Sequence, residues 1–168
     1  MWQRASVMIA LLTLGAPTAG TPQAVQPPAT YTWLGEFVSA DITAMTMTVK
    51  PRVAYPEAVS ELKQFKPGER VWVVWSGIDN YSDAVRQLRR AESGRKIDEP
   101  LVLPAEFVSA APPDSHVTIR VKVPDSSMAA VKAMKPGEWV TVTSRTRPST
   151  DADAVVTVTP YGTKPSTT

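Results

Sequence analysis

The sequence predicts a mainly β protein built from two tandem, small OB-like β-barrel units, each with one short helix and related by internal duplication. Three observations carry that expectation. The chain repeats itself: "EFVSA" occupies 36–40 and 106–110, "KPGE" occupies 66–69 and 135–138, and "DAV" occupies 83–85 and 153–155. The three matches keep their order at offsets of 70, 69 and 70 residues, the mark of a repeated structural unit. The segments around them alternate apolar and polar residues, the period-two signature of half-buried strands. Each copy also runs strand, strand, short helix, strand, strand, the element order of a small, partly open barrel. The units span 31–92 and 101–162. Domains of about 60 residues are marginal alone, so the copies are expected to pack on each other about a pseudo-two-fold axis.

Taken in order, the chain opens on a segment with the layout of a secretory signal peptide. "MWQR" is positively charged, "ASVMIALLTL" (5–14) is an uncharged apolar run, and small residues follow, with cleavage expected near Ala19–Gly20. The run is shorter than the roughly 20 apolar residues a membrane span needs. No cysteine follows it to take a lipid. The mature chain is therefore expected to be exported, periplasmic or secreted, with no membrane span. Residues 21–30 form a Pro-rich leader.

Unit one begins with "GEFVSAD" and unit two with "AEFVSAA", both β-rich. "MTMTVK" (45–50) lies over "VTIRVK" (117–122) as the second strand, which places Met45 and Met47 opposite Val117 and Ile119 and His116 opposite Ala44. "PEAVSELKQF" (56–65) lies over "SSMAAVKAM" (126–134); Val59, Leu62 and Phe65 match Met128, Val131 and Met134, one side of a short helix. "KPGE" sets a turn, with Pro fixing φ and Gly accepting φ > 0. "RVWVVW" (70–75) matches "WVTVTS" (139–144) as a strand. "DAVRQLRR" has a helical look, but its partner "DAVVTVTP" is plainly β, so both are read as strands. Residues 93–100 connect the units and 163–168 are a polar tail.

Composition narrows the chemistry. With no cysteine there is no disulfide, thiol nucleophile, iron–sulfur cluster or zinc–thiolate site. Without Arg4, the 18 basic and 16 acidic residues leave an almost neutral chain, and the cluster at Arg86, Arg89, Arg90, Arg95 and Lys96 reads as a solvated strand edge. A nucleic-acid partner, which wants a basic face on a basic domain, is not expected. No G-x-S-x-G, H-E-x-x-H or phosphate-cradling Gly loop occurs, and the one histidine, His116, has no serine in a nucleophile elbow to serve. Asp79/Asp83 and Asp151/Asp153 read as turn residues. The expectation is a non-catalytic module with no cofactor.

Two places remain for binding. "AMTMTV" (44–49) followed by "SELKQFKPGERV" (60–71) resembles the periplasmic copper- and silver-binding small OB-like barrels of metal-efflux systems, which carry a Met-x-Met pair on a barrel strand. That resemblance implies soft-metal binding at Met45 and Met47, thioethers being suited to Cu(I) and Ag(I). The histidine and Trp-Pro of that family's site have no counterparts in the first unit. The residues themselves read first as core fillers, methionine being adaptable in a barrel interior.

The other place is the outer face of the fourth element. Val71 and Val73 match Val140 and Val142 and set the core side. The opposite side reads Arg70, Trp72, Val74 in unit one and Trp139, Thr141, Thr143 in unit two. Trp72 and Val74, with Tyr81 in the following loop and Trp33 upstream, give unit one an apolar outer surface. Three readings stand: a contact with unit two, against Trp139; a platform for a protein, peptide or glycan ligand; or a core adjustment with no partner.

Overall fold

The computed structural model describes residues 30–55, 61–78, 81–92, 99–111 and 115–162. The expected signal segment, most of the Pro-rich leader and the polar tail lie outside them. So do the first half of the expected helix at 56–65, most of the connector, Asp79, and the side chains of Tyr81 and Asp83.

The chain is mainly β, as expected. Unit one supplies β1 (Thr30–Asp41), β2 (Thr46–Lys50), β3 (Arg70–Ile78) and β4 (Tyr81–Arg90). Unit two supplies β5 (Val102–Ala111), β6 (His116–Lys122), β7 (Trp139–Arg145) and β8 (Val155–Pro160). Helix α1 (Asp125–Ala133) stands between β6 and β7, and only a 3₁₀ turn at Leu62–Gln64 is described at the matching place in unit one. A four-residue helix α2 (Asp151–Ala154) precedes β8, started by a capping box in which Thr150 and Asp153 bond reciprocally. "DAVRQLRR" is strand, so tertiary pairing prevails there over local helix propensity.

The architecture differs from two tandem barrels. All eight strands form one sheet, ordered β2-β6-β5-β3-β4-β1-β7-β8, with β2 also pairing β1. That last pairing closes β1-β2-β6-β5-β3-β4 into a ring that draws strands from both units, and β7-β8 continue outward from β1. Strand β1 pairs antiparallel with β7, and β5 pairs antiparallel with β3. Each unit thus completes the other's sheet rather than closing on itself. The expected packing of one unit on the other is replaced by strand pairing between them.

The registers repeat as the sequence does. Glu36 lies opposite Trp139 and Glu106 opposite Arg70; Trp33 opposite Val142 and Leu103 opposite Val73. Both β1–β2 and β5–β6 carry a bulge at the Val of "EFVSA", between Phe37 and Ser39 and between Phe107 and Ser109. Strands β2 and β6 pair at the centre, with Val49 opposite Ile119, two residues related by the 70-residue offset. A pseudo-two-fold axis through that pair exchanges the remaining ladders, except that only β1 and β4 add a short parallel pairing.

These registers correct the alignment of the second strand by two residues. Ser39 pairs Thr48 and Ser109 pairs Thr118, so Met47 corresponds to Val117, Val49 to Ile119 and Thr46 to His116. Met45 corresponds to Ser115, and both have positive φ, 52° and 51°, at the tips of equivalent hairpins. The core lies inside the ring. Trp33, Met47, Val49, Val71, Val73, Leu103, Val117, Ile119, Val140 and Val142 are fully enclosed. Leu62 and Phe65 of unit one and Met128, Val131 and Met134 of unit two belong to the same buried cluster.

Candidate functional site

Cross-strand partners point to the same side of a sheet, so the ladders arrange side chains in rows across it. One row on the outer face crosses β6, β5 and β3 through Arg120, Glu106 and Arg70, and the Ala91 N–H bonds the Arg70 carbonyl at 3.1 Å to add a fourth position. Its pseudo-symmetric counterpart crosses β2, β1 and β7 through Lys50, Glu36 and Trp139. There the Tyr161 N–H bonds the Trp139 carbonyl at 2.8 Å. The backbones match bond for bond, and the side chains do not: Arg70 and Ala91 in one row stand where Trp139 and Tyr161 stand in the other.

The charged row satisfies itself. Arg120 Nη1 bonds Glu106 Oε1 at 2.6 Å, Arg70 bonds Asp151, and Lys122 Nζ donates to the Ala44 carbonyl at 2.9 Å around a cavity of about 200 Å³. Each such surface pair contributes little stability, and the lining of Arg70, Arg120 and Lys122 against Glu106 and Asp151 leaves the cavity with a small positive excess. The aromatic row is open. Trp139 is 44% exposed and Tyr161 64%, two of the largest apolar side chains in solvent among the described residues.

The rows beside it keep the contrast. On β1-β7-β8 they read Leu34–Thr141–Thr159 and Thr32–Thr143–Thr157, half-buried or exposed throughout. On β5-β3-β4 they read Pro104–Trp72–Arg89 and Val102–Val74–Gln87. Val102 and Val74 are buried at 2% and 4% exposure although they belong to the outer side, and Val74 lines a cavity together with Glu99, Pro100 and Leu101. Arg89 grips Glu99 with two bonds of 2.8 and 2.7 Å and ties this segment to β4.

The expected apolar face at Trp72 and Val74 is therefore assigned differently by the structure. Val74 is buried, Trp72 is half-buried opposite Pro104 and Arg89, and no ladder joins Trp72 to Trp139. Of Tyr81 the structure describes the backbone, which pairs Ile78 and Thr32. What stays open on that side is a cavity of about 370 Å³ lined by Tyr55, Val74, Arg86, Glu99 and Leu101.

Trp33 and Trp75 are core residues, not part of a surface platform. Their rings stack at 4.6 Å between centroids, and Trp33 Nε1 donates to Ser144 Oγ at 2.9 Å. Ser144, the counterpart of Trp75, leaves room for the larger side chains of Tyr31 and Trp33. The Tyr31 hydroxyl and the Trp75 Nε1–H are buried without a hydrogen-bond partner. Burial pushes the Tyr31 phenol well above its ordinary value of 10.0, and the neighbouring Ser144 hydroxyl offsets part of that.

The two methionines separate. Met47 is fully enclosed in the ring, whereas Met45 sits at the β1–β2 hairpin tip, 36% exposed. His116 pairs Ala111 on β5 and bridges Arg52. Among the described residues no group of three or more His, Asp or Glu side chains is placed to hold a metal ion.

No family model, curated protein or solved structure matches this chain. Sequence reading picked out Trp139 but missed Tyr161 and Glu36. The signal was present one residue past the last matched strand: the 70-residue offset that pairs "DAV" with "DAV" also sets Tyr161 against Ala91.

Proposed function

We propose that this chain is an exported, non-catalytic binding module that arose by duplication of a β unit of about 60 residues, and that it binds through the outer face of β1-β7-β8. The carrying observation is the pair of equivalent rows. Where unit one places the ion-paired Arg70, followed by Ala91, unit two places Trp139 and Tyr161, both exposed. Large aromatics held partly in solvent are a usual mark of a recognition surface. Duplication explains how one copy keeps a self-satisfied outer face while the other diverges. The repeated motifs, equivalent bulges and equivalent ladder registers support that origin.

The test is to return the second row to the character of the first, with W139R and Y161A together, and to present both proteins with a panel of peptides, glycans and lipid vesicles. Both side chains are exposed, so the melting temperature is expected to stay within a few degrees. Binding to at least one class by the native protein, lost in the double variant, supports the reading. A panel response identical in the two proteins overturns it.

A further inference from the structure

The chemistry around the aromatic row narrows the ligand, and this step rests on the binding face proposed above. We infer that the β1-β7-β8 face binds an uncharged polysaccharide, with sugar rings stacked on Trp139 and Tyr161 and their hydroxyls bonded to the adjoining threonines. Trp139 and Tyr161 are neighbours across the end of one ladder, so their backbones are about one strand spacing apart, roughly 4.8 Å. Two rings so placed offer a contiguous apolar strip. A pyranose ring presents just such a surface through its axial C–H bonds while directing its hydroxyls outward from the edge.

Those hydroxyls need partners, and the face supplies them in register. Thr141 and Thr159 form the next row and Thr143 and Thr157 the one after, each hydroxyl one donor and two acceptors. Glu36 flanks Trp139 from the β1 side and adds a carboxylate that accepts from sugar hydroxyls. A surface that is regular, half-wet and rich in paired donors and acceptors fits a repeating polyhydroxylated chain better than the deep apolar pocket a protein hot spot requires.

Charge selects against the alternatives. The cation at the far end of the face, Arg145, is held by the Asp153 carbonyl at 3.1 Å and its carboxylate at 3.7 Å. Nucleic acid and anionic lipid both need a cluster of cations, and this face does not present one. The corresponding row across β6, β5 and β3, with Arg120 and Arg70, does carry cations, but they are bonded to Glu106 and Asp151. With Glu36 next to Lys50 and Arg145 next to Asp153, the face carries isolated charges of both signs and no cluster of one, which calls for an occupant of no strong charge.

The experiment uses the full-length protein with insoluble cellulose and chitin and with a soluble β-glucan, followed by pull-down and by calorimetry for the soluble chain. The native protein is expected to bind at least one of the three. Trp139→Ala is expected to weaken that binding at least tenfold, Trp139→Phe to retain most of it, and Thr141→Val with Thr159→Val to weaken it severalfold. Aromatic retention with hydroxyl dependence is a pattern that simple loss of folding does not produce. Polysaccharide binding unchanged by Trp139→Ala overturns the assignment. Peptide or vesicle binding that depends on Trp139, with no polysaccharide bound, overturns the glycan assignment and leaves the binding face standing. A sedimentation shift that depends on Trp139 and appears without ligand assigns the face to a second copy of the chain instead. If nothing measured depends on Trp139, both the ligand class and the face fall.

Discussion

Tyr31 shows at a single residue how the barrel interior tolerates an imperfect polar group. Its phenol is enclosed on β1 opposite Ser144, and no hydrogen bond of good geometry satisfies its hydroxyl. An unsatisfied buried hydroxyl costs about 1–3 kcal/mol, so Tyr31→Phe is expected to leave stability unchanged or to raise it by about 1 kcal/mol, read as the urea midpoint. The pH dependence has a definite sign. Because the folded-state value is raised, the unfolded chain releases the phenol proton first; this contribution is complete below pH 10 and is lost as pH rises further. Native protein is expected to lose stability above about pH 10 more steeply than Tyr31→Phe does. Met47 was legible as a core residue because methionine in an alternating strand most simply fills space. Met45 was not, because alternation continues across a hairpin tip on paper while the backbone there turns through positive φ. A soft metal would meet Met45 at the surface and would reach Met47 only by opening the ring.

At the scale of elements, the two repeated motifs turn out to be two sides of one contact. Phe37 of the first "EFVSA" donates to the Glu138 carbonyl at 2.7 Å and accepts from Gly137 at 2.9 Å, in the second "KPGE". Phe107 of the second "EFVSA" makes the same exchange with Glu69 and Gly68 of the first, at 2.8 and 2.9 Å. Each turn is closed from within by its glutamate, since Glu69 Oε2 accepts from the Lys66 N–H and Glu138 Oε2 from the Lys135 N–H, both at 3.0 Å. The Lys66 N–H, and next Arg90, hold the Glu69 carboxyl below the usual range; this contribution is lost as pH falls through the lowered value. Gly68 and Gly137 have φ of 86° and 91°, and a Cβ at either would meet open space. Gly137→Ala is therefore expected to cost conformational energy alone, about 1–2 kcal/mol. That corresponds to a melting temperature lower by roughly 2–8 °C for a chain of this size, with Gly68→Ala equal to it within error. Unequal effects would show that the two turns are not equivalent. Element order, the turns and the strand character of "DAVRQLRR" were all readable because two copies constrain one another. The two-residue slip in the second strand escaped the alternation, since a shift of two leaves a period-two pattern unchanged, although the 70-residue offset of the flanking motifs sets Met47 against Val117.

For the whole molecule, what the sequence concealed is which copy each strand pairs with, because a strand's sequence reports its faces and says little about its neighbour. Of the eight ladders, β1–β7, β3–β5 and β2–β6 join the units. Cut between the units, the second half keeps only β5–β6 and β7–β8, two hairpins that no ladder connects. An isolated hairpin is at best marginally stable in water. The same cut leaves β1 without β7, β3 without β5, and Val49 without Ile119 at the pseudo-two-fold axis. Neither half encloses the core, whose largest buried side chains come from both. Residues 21–95 and 96–168 produced separately are each expected to give the circular dichroism of unfolded chain. Mixed, they are expected to assemble one-to-one with dispersed amide resonances and a melting point that rises with concentration. Two independent barrels predict the opposite, a folded spectrum from each half and no association. The halves also bear on the binding face, since β1 comes from one and β7-β8 from the other: if they reassemble, neither half alone presents the row of Glu36, Trp139 and Tyr161. Polysaccharide binding should then appear only on mixing, and a half that binds alone would place the ligand site elsewhere.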